Sequence, residues 1–385
     1  MYYMEHGLNM KWLAVFFALA TVVSSFGSGN MPQANNMAVG IETSFEIPAY
    51  VTGGVFAALM ALVIVGGIRR IAAVAATLVP IMAVLYGFGA FAVILSNVEN
   101  VLPALGDVFA SAFTGSAAAG GFLGASFAYA FNRGVNRGLY SNEAGQGSAP
   151  IAHASAKTEE PVAEGVVAIL EPFIDTLIIC TLTGLVILSS GVWQEKHETS
   201  FTRSDTEVIA GEYDETVEAH QQQLAQHLDF MQPENNPVKP FTGNLRAVDG
   251  NLVVANATIL HNRSIAEDIQ VTRDGAPYSG IVAVEEGQFV DPNLTFTGRS
   301  LLHSVALTAK AFERSFMGEG GAYLVTVGLV LFAFSTAIAW SYYGDRAVTY
   351  LFGSRWVSSY RVLYVAGFFV ATVVDTTLIW LISAV

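Results

Sequence analysis

The chain consists of long apolar runs joined by short polar connections, with one long polar segment in its second half. Six runs have the length that a helix needs to cross a bilayer, about 20 residues, and a seventh is weaker and glycine-rich. The seven runs are Trp12–Ser28, Tyr50–Gly67, Ile71–Leu95, Ala117–Phe131 (the weaker one), Val166–Val192, Ala322–Tyr343 and Val362–Val385. Because a helix satisfies its own backbone hydrogen bonds in lipid, this pattern predicts an all-α membrane protein with about seven spans.

The composition agrees with a membrane class. Of 385 residues, 53% are hydrophobic and only 13% are charged, against about 25% charged residues in ordinary soluble domains. The net charge of −14 arises mainly from acidic residues between Glu195 and Glu319, so no basic nucleic-acid-binding surface is expected. The bilayer is the predicted partner instead.

The positive charges of the short connections predict the topology. Arg69, Arg133, Lys157 and Arg346 lie in connections 68–70, 132–161 and 344–358, which the positive-inside rule places in the cytoplasm. The long polar segment then faces outside. The sequence therefore predicts a multi-pass protein of the plasma membrane, the inner membrane of a bacterium, with residues 193–299 external.

Three parts follow from this arrangement. Residues 1–192 form the first part of the transmembrane bundle, with about five spans, and residues 300–385 form the second, with an external helix and about two spans. Between them, residues 208–231 have the composition of a polar helix, whereas three later stretches alternate apolar and polar residues around the turn pair Asp274-Gly275. Residues 193–299 are therefore expected to form a small α+β or partly ordered insertion.

Polar and glycine-rich stretches interrupt three of the spans. They are Ser24–Val39, Thr114–Ser126 with the following Arg137–Pro150, and Phe332–Ala347. Irregular backbone at membrane depth is tolerated only where it is buried or lines a cavity, and transporters use such breaks as binding sites. Close packing of glycine-rich helices and simple hydrogen bonds between helices are the alternatives.

Ionisable residues in the apolar runs are a second indication of function. Glu171 and Asp175 are four positions apart, Asp375 lies in the last run, and Glu143 belongs to the stretch Arg137–Pro150. These carboxylates could relay protons or cations, make structural hydrogen bonds, or serve an intramembrane carboxylate enzyme. The sequence contains neither a His-Glu-x-x-His nor a Gly-x-Ser-x-Gly motif, so we do not predict an enzyme. A membrane anchor that presents an external binding module is a further alternative.

Three motifs closely resemble the alanine-or-glycine:cation symporter family, also named the sodium:alanine symporter family. They are "NRGLYSNEAGQGSAPIAHASA" at Asn136–Ala156, "EPFIDTLIICTLTGLVIL" at Glu171–Leu188 and "FAFSTAIAWSYYG" at Phe332–Gly344. The start of the chain, "MYYMEHGL", is also similar to the family. The resemblance covers nearly all of the chain except about Trp193–Arg299, where family members have a much shorter loop.

The resemblance implies sodium-coupled symport of a small neutral amino acid, alanine or glycine, by alternating access. It implies the inverted-repeat fold of the leucine-transporter type and no organic cofactor, with Na⁺ as the coupling ion and the only metal. Carried over by position, the implied substrate-binding residues are Gln33, Asn35, Tyr140, Ser141, Asn142, Thr336 and Trp340. The implied cation-binding residues are Ser335 and Thr336.

Two differences from the family concern the ends of the chain. Family members have about ten or eleven spans, including an early broken helix that supplies sodium ligands. This sequence begins after that helix and stops at Val385, inside a span. We therefore expect a chain truncated at both ends, with an incomplete bundle of about seven spans.

Overall fold

A computed structural model describes residues 1–374 and 378–379, except 115–117, 120–121, 124–129, 136–137, 139–141, 202 and 229–236. The chain forms two compact units. The first comprises Met1–Val93, Leu139–Leu182 and Phe312–Val385, and the second comprises Ile94–Gly138 and Thr183–Ala311. The predicted boundaries at residues 193 and 299 stay a prediction.

The described α-helices are numbered in chain order. They are α1 Tyr2–His6, α2 Lys11–Gly27, α3 Met31–Phe45, α4 Ala49–Val65, α5 Gly67–Ser96, α6 Val98–Thr114, α7 Glu143–Gln146, α8 Ala149–His153, α9 Pro161–Pro172, α10 Thr181–Ser190, α11 Glu218–His227, α12 Ser304–Glu313, α13 Glu319–Phe352 and α14 Val357–Val373. A π-helix, Phe173–Cys180, joins α9 to α10. Short 3₁₀ turns cover Val192–Gln194, Arg203–Asp205 and Ser354–Trp356.

Five segments of the described residues are helical, long and apolar enough to cross a membrane. They are Lys11–Phe45, Gly67–Ser96, Pro161–Ser190, Glu319–Phe352 and Ser354–Val373, and the apolar helix α4 is shorter. Helix α4 coincides with the predicted span Tyr50–Gly67, so the described residues account for six apolar helices and the number seven stays a prediction. Most of the predicted span Ala117–Phe131 lies outside the described residues, and the described part includes two paired strands, β1 Ala118–Ala119 and β2 Phe122–Leu123, not a continuous helix.

The first span is broken in the middle, as the sequence predicts. Helix α2 ends at Gly27, and α3 begins at Met31 after the turn Ser28–Asn30. Pro32 stands at the start of α3, where a proline does not remove a helical hydrogen bond. The polar stretch Phe332–Ala347, by contrast, causes no break, because α13 is continuous from Glu319 to Phe352.

The third segment changes its helical winding. Pro172 ends α9, and the next eight residues, Phe173–Cys180, are wound as a π-helix before the α-helix resumes at Thr181. Proline lacks the N–H that would continue the i to i−4 pattern, which favours such a change. π-Helical turns are often found at functional sites.

The second unit contains most of the β-structure. Its further strands are β3 Lys196–Phe201, β4 Thr206–Ala210, β5 Gly243–Val248, β6 Asn251–Val253, β7 Ala257–His261, β8 Ser264–Ile265, β9 Glu267–Arg273, β10 Ala276–Pro277, β11 Gly280–Glu285, β12 Gln288–Phe289 and β13 Leu294–Leu301. Eight of them form an antiparallel sheet in the order β12-β11-β5-β6-β9-β13-β3, with β10 paired to β9. Strands β4, β7 and β8 form a second sheet.

This β-structure lies at Lys196–Leu301, where the sequence predicts an α+β insertion, and its two sheets of eight and three strands are more extensive than the small insertion expected. It follows the predicted alternation, because inward residues such as Val271 and Phe296 form the core while their neighbours are exposed or half-buried. Asp274 and Gly275 make the predicted two-residue turn, both with positive φ. The predicted helix at 208–231 is wrong at its start, since Val208–Ala210 belongs to β4 and the helix runs only from Glu218 to His227.

Candidate functional site

The break between α2 and α3 lies directly under the indole of Trp340. A Cβ built on Gly29 would come within 2.2 Å of Cγ of Trp340, far inside van der Waals contact. Trp340 is itself buried and packs with the core of the first unit. The glycine at the break is therefore required by a close approach from α13.

Two amides lie at the same break. The side-chain amide of Gln33 donates to the carbonyl oxygen of Ser28 at 3.3 Å. Asn30 is fully buried, and its Nδ2 donates to the carbonyl oxygen of Tyr364 at 2.8 Å. Among the described residues, Oδ1 of Asn30 lacks a hydrogen-bond partner. A buried amide oxygen without a partner costs about 1–3 kcal/mol, so the break offers an acceptor for a ligand or a water molecule.

Asn35 makes a different kind of contact. Its Nδ2 donates to the carbonyl oxygens of Ala371 and Val374, at 3.1 and 3.0 Å. These carbonyls lie at the C-terminal end of α14, where the last helical acceptors have no partner within the helix. Asn35 therefore ties α3 to the end of α14, and its predicted part in substrate binding stays a prediction.

Ser335 and Thr336 lie at the middle of α13. The Ser335 hydroxyl is buried and donates to the carbonyl oxygen of Phe332 at 3.0 Å. Thr336 is half-buried and lies one turn from Trp340 on the same face. Because α13 is continuous, its carbonyls are engaged in the helix, and these two residues can offer a cation only their hydroxyl oxygens.

The carboxylate of Glu143 accepts hydrogen bonds from a tyrosine. The hydroxyl of Tyr343 lies 2.7 and 2.6 Å from the two carboxylate oxygens of Glu143. Among the described residues, which leave out the neighbouring Arg137, the partner of the Glu143 carboxylate is this tyrosine and not an arginine. The reason is tertiary: α13 brings Tyr343, one turn from Trp340, against α7.

Glu171 and His153 continue this contact network. The backbone N–H of Glu143 donates to Oε1 of Glu171 at 2.9 Å, and Nε2 of His153 lies 4.0 Å from Oε2 of Glu171. Nδ1 of His153 is 2.6 Å from Oε1 of Glu164. Burial raises the pKa of Glu143 to about 7, with the hydrogen bond from Tyr343 opposing the shift and the charge of Glu171 adding to it.

The structure does not bring all of the predicted residues together. Nδ2 of Asn142 donates to the hydroxyl of Thr176 in the π-helix at 3.0 Å. Oδ2 of Asp175 is buried without a hydrogen-bond partner among the described residues. Tyr140, Ser141 and Asp375 lie outside the described residues.

Comparison with known proteins identifies the family. The sequence profile described as "Sodium:alanine symporter family" matches residues 1–218 and 289–385, which is most of the chain. The chain belongs to the sodium:alanine symporter family. Members of this family are transporters and not enzymes, and the apolar helices agree with a membrane-embedded protein. The matched ranges leave out residues 219–288, which include strands β5 to β11.

Three relatives show the extent of the similarity. An uncharacterized transporter of Haemophilus influenzae is 32% identical over 384 residues, covering 100% of this chain and 61% of the relative. The sodium/alanine symporter AgcS of Methanococcus maripaludis is 30% identical over 388 residues, covering 100% and 62%. The probable sodium/glutamine symporter GlnT of Bacillus subtilis is 40% identical over 192 residues, covering 50% and 39%. The chain thus spans about three fifths of the length of the first and second of these relatives.

Sequence reasoning missed Tyr343 and the π-helix of this family member. Tyr343 stands in the quoted motif beside Trp340, and its one-turn spacing from the tryptophan could have indicated a shared face. Pro172 is the sequence signal for the change of winding. Neither signal shows that the tyrosine hydroxyl meets Glu143, because that pairing joins positions that are far apart in the chain.

Proposed function

We propose that the protein carries out sodium-coupled symport of a small neutral amino acid, alanine or glycine, across the plasma membrane. The proposal includes alternating access within a bundle of the leucine-transporter inverted-repeat type. The observation that carries it is the helix break at Ser28–Asn30, which is buried beneath Trp340 in a chain of this family.

The break offers the groups that a zwitterionic ligand needs. Helix α3 begins without a side-chain cap, so its first backbone N–H groups and its positive end can receive a carboxylate. The buried Oδ1 of Asn30 can accept a hydrogen bond from an ammonium group. We assign Gln33 to the substrate at the same end of α3, with Asn35, Tyr140, Ser141 and Asn142 as further predicted contacts.

Trp340 and its neighbours on α13 are proposed to complete the site. The indole restricts the space above Gly29, which favours a short side chain such as that of alanine or glycine. Thr336, on the same face, is the proposed second contact from α13. Hydroxyl oxygens are suitable ligands for Na⁺, so Ser335 and Thr336 are the proposed cation ligands, together with oxygens from other elements.

Transport into proteoliposomes that contain the protein tests this proposal. We expect an inward Na⁺ gradient to drive uptake of labelled alanine or glycine, and a K⁺ gradient of equal size to drive none. Gln33→Ala should lower uptake about tenfold or more, because a polar substrate group loses its partner. Gln222→Ala in α11, whose side chain donates to the neighbouring Glu218, is the matched control and should leave uptake unchanged.

The names of the relatives indicate a further amino acid to test as a substrate. Names of similar proteins include a sodium/alanine and a probable sodium/glutamine symporter, so glutamine belongs in the panel. Uptake of glutamine in preference to alanine would contradict the proposed small substrate. No Na⁺-dependent uptake of any of the three would overturn the function and favour a membrane anchor that presents the β-structure.

The proposed topology has its own test. We propose that residues 193–299 are external and that the connection after α13 is cytoplasmic. In a Cys180→Ser background, Asp274→Cys should react with a membrane-impermeant maleimide added to intact cells, and Arg355→Cys should react only after lysis. The opposite pattern would reverse the topology.

A further inference from the structure

Tyr343 connects the proposed substrate site to a buried carboxylate. Its ring packs edge-on against the indole of Trp340, with 5.4 Å between the ring centroids and 71° between the planes. Its hydroxyl faces both carboxylate oxygens of Glu143 at 2.6–2.7 Å. One tyrosine thus contacts the tryptophan with its ring and the carboxylate with its hydroxyl.

The strength of this link depends on the charge of Glu143. A hydrogen bond from a phenol to an ionised carboxylate is about twice as strong as one between neutral groups. A protonated Glu143 would place its own O–H on one side of the Tyr343 hydroxyl and lose one of the two acceptors. The hydrogen bond between Tyr343 and Glu143 is therefore strong when Glu143 is ionised and weaker when Glu143 is protonated.

The surroundings of Glu143 allow both states. Glu171 faces it from α9 and accepts its backbone N–H, Tyr343 faces it from α13, and His153 approaches the other oxygen of Glu171 from α8. His153 also contacts Glu164 of α9. A second carboxylate therefore lies beside Glu143, and the nearby histidine is already shared between two glutamates.

We infer that Glu143 and Tyr343 form a latch that positions Trp340 over the helix break, and that protonation of Glu143 loosens this latch. Both are positioning residues, since they act on the site through Trp340. The inference rests on the proposed function only in taking Trp340 as a wall of the substrate site. The pKa of Glu143, raised to about 7 by burial, supports it by placing the transition near neutral pH.

Fluorine NMR of the protein labelled with 5-fluorotryptophan tests the latch without substrate. Loss of one signal in Trp340→Phe assigns the Trp340 resonance among the five tryptophans of the chain. We expect this resonance to shift between pH 6 and pH 8 with a midpoint near 7. Glu143→Gln should abolish the shift, and Tyr343→Phe, which keeps the ring but lacks the hydroxyl, should also abolish it.

The chain provides a matched control on the same helix. The hydroxyl of Tyr350 donates to Oε2 of Glu5 at 2.7 Å, which is the same pairing of tyrosine and glutamate at a position away from Trp340. Tyr350→Phe should leave the Trp340 titration unchanged. Unchanged signals from Trp12, Trp193 and Trp356 in every variant show that the protein is folded.

Two outcomes overturn the latch. It is wrong if the Trp340 resonance does not respond to pH, or if its response persists in both Glu143→Gln and Tyr343→Phe. Transport gives an independent measurement: Tyr343→Phe should raise the KM for the amino acid about tenfold, as expected for a lost charge-assisted hydrogen bond. An intact NMR response without any transport would contradict the proposed function and leave the latch standing.

Discussion

Trp340 and Gly29 are in such close contact that no side chain can replace the glycine hydrogen. The indole Cγ of Trp340 lies 2.2 Å from the position of a Cβ on Gly29, and the Trp340 Cβ lies 2.3 Å from it. The break in the first span and the middle of α13 are therefore built against each other.

Gly29→Ala should destabilise the bundle. The new methyl group forces the indole or the break to move, and overpacking of this kind costs about 1–3 kcal/mol of unfolding free energy. Thermal unfolding in detergent, followed by far-UV circular dichroism, measures the loss. Gly54→Ala in α4 is the control, because its Cβ meets nothing within 4 Å and an alanine favours a helix. Equal stability of both variants would show that Trp340 does not pack on the break.

Asn35 should contribute mainly to stability. Asn35→Ala removes the donor to the carbonyls of Ala371 and Val374 and should cost about 1–3 kcal/mol. Asn35→Asp keeps the shape but turns a carboxylate towards two carbonyl oxygens, so its loss should be larger at pH 7.5. Thermal unfolding in detergent ranks the stabilities of the two variants. An aspartate variant as stable as the native protein would contradict the hydrogen bonds from Nδ2 of Asn35 to the two carbonyl oxygens.

The buried pair of Asp345 and Arg361 should respond unequally to removal of its two partners. Arg361 donates from Nε and Nη2 to Oδ2 of Asp345 at 3.0 and 2.5 Å, and Asp345 is only 1% exposed. Arg361→Met leaves a buried carboxylate without its partner and should cost about 3–5 kcal/mol. Asp345→Asn should cost less, because the arginine is more exposed.

An exposed ion pair provides the control for that experiment. Nζ of Lys11 is 3.6 Å from Oε1 of Glu5, and the Lys11 side chain is 76% exposed. Lys11→Met should therefore cost no more than about 1 kcal/mol. A similar small loss for Arg361→Met in detergent unfolding would mean that the interior pair is solvated.

His261 should make the β-structure of the second unit less stable in acid. It is buried, stacks on Phe201 with 4.4 Å between the ring centroids, and its Nδ1 is 2.6 Å from the Ser300 hydroxyl. Burial lowers its pKa to about 4, with Asp205 opposing and His303 adding to the shift. The folded state then binds fewer protons than the unfolded state between pH 4 and about 6.5.

The sign of the effect follows from that difference. The contribution of His261 to the free energy of unfolding is complete above about pH 6.5 and decreases as the pH falls towards 4. The total decrease from this group is at most about 3 kcal/mol. Hydrogen exchange of β7 and β13, corrected for intrinsic rates, should show faster opening at pH 5 than at pH 7.5. His261→Phe, which keeps an aromatic stack on Phe201, should remove this histidine's share of the pH dependence. If hydrogen exchange in the variant has the same pH dependence as in the native protein, groups other than His261 cause the effect.

The membrane class, the break in the first span and the turn at Asp274-Gly275 were predictable because each depends on neighbouring residues. An apolar run of sufficient length favours a helix in lipid, a cluster of glycine and asparagine interrupts one, and an Asp-Gly pair adopts positive φ. The helix over 208–231 failed in part because its first residues pair with β7 in a sheet. Tertiary pairing overrode a local preference there.

The sequence by itself therefore determined where the chain is apolar, where its first span breaks, and which family its motifs resemble. Only the tertiary structure decided that Trp340 covers Gly29, that Tyr343 holds Glu143, and that Asn35 binds the end of α14. The reason is physical. Local propensities act over a few residues, whereas these contacts join helices distant in sequence, and only the packing of those helices selects one partner among several of suitable chemistry.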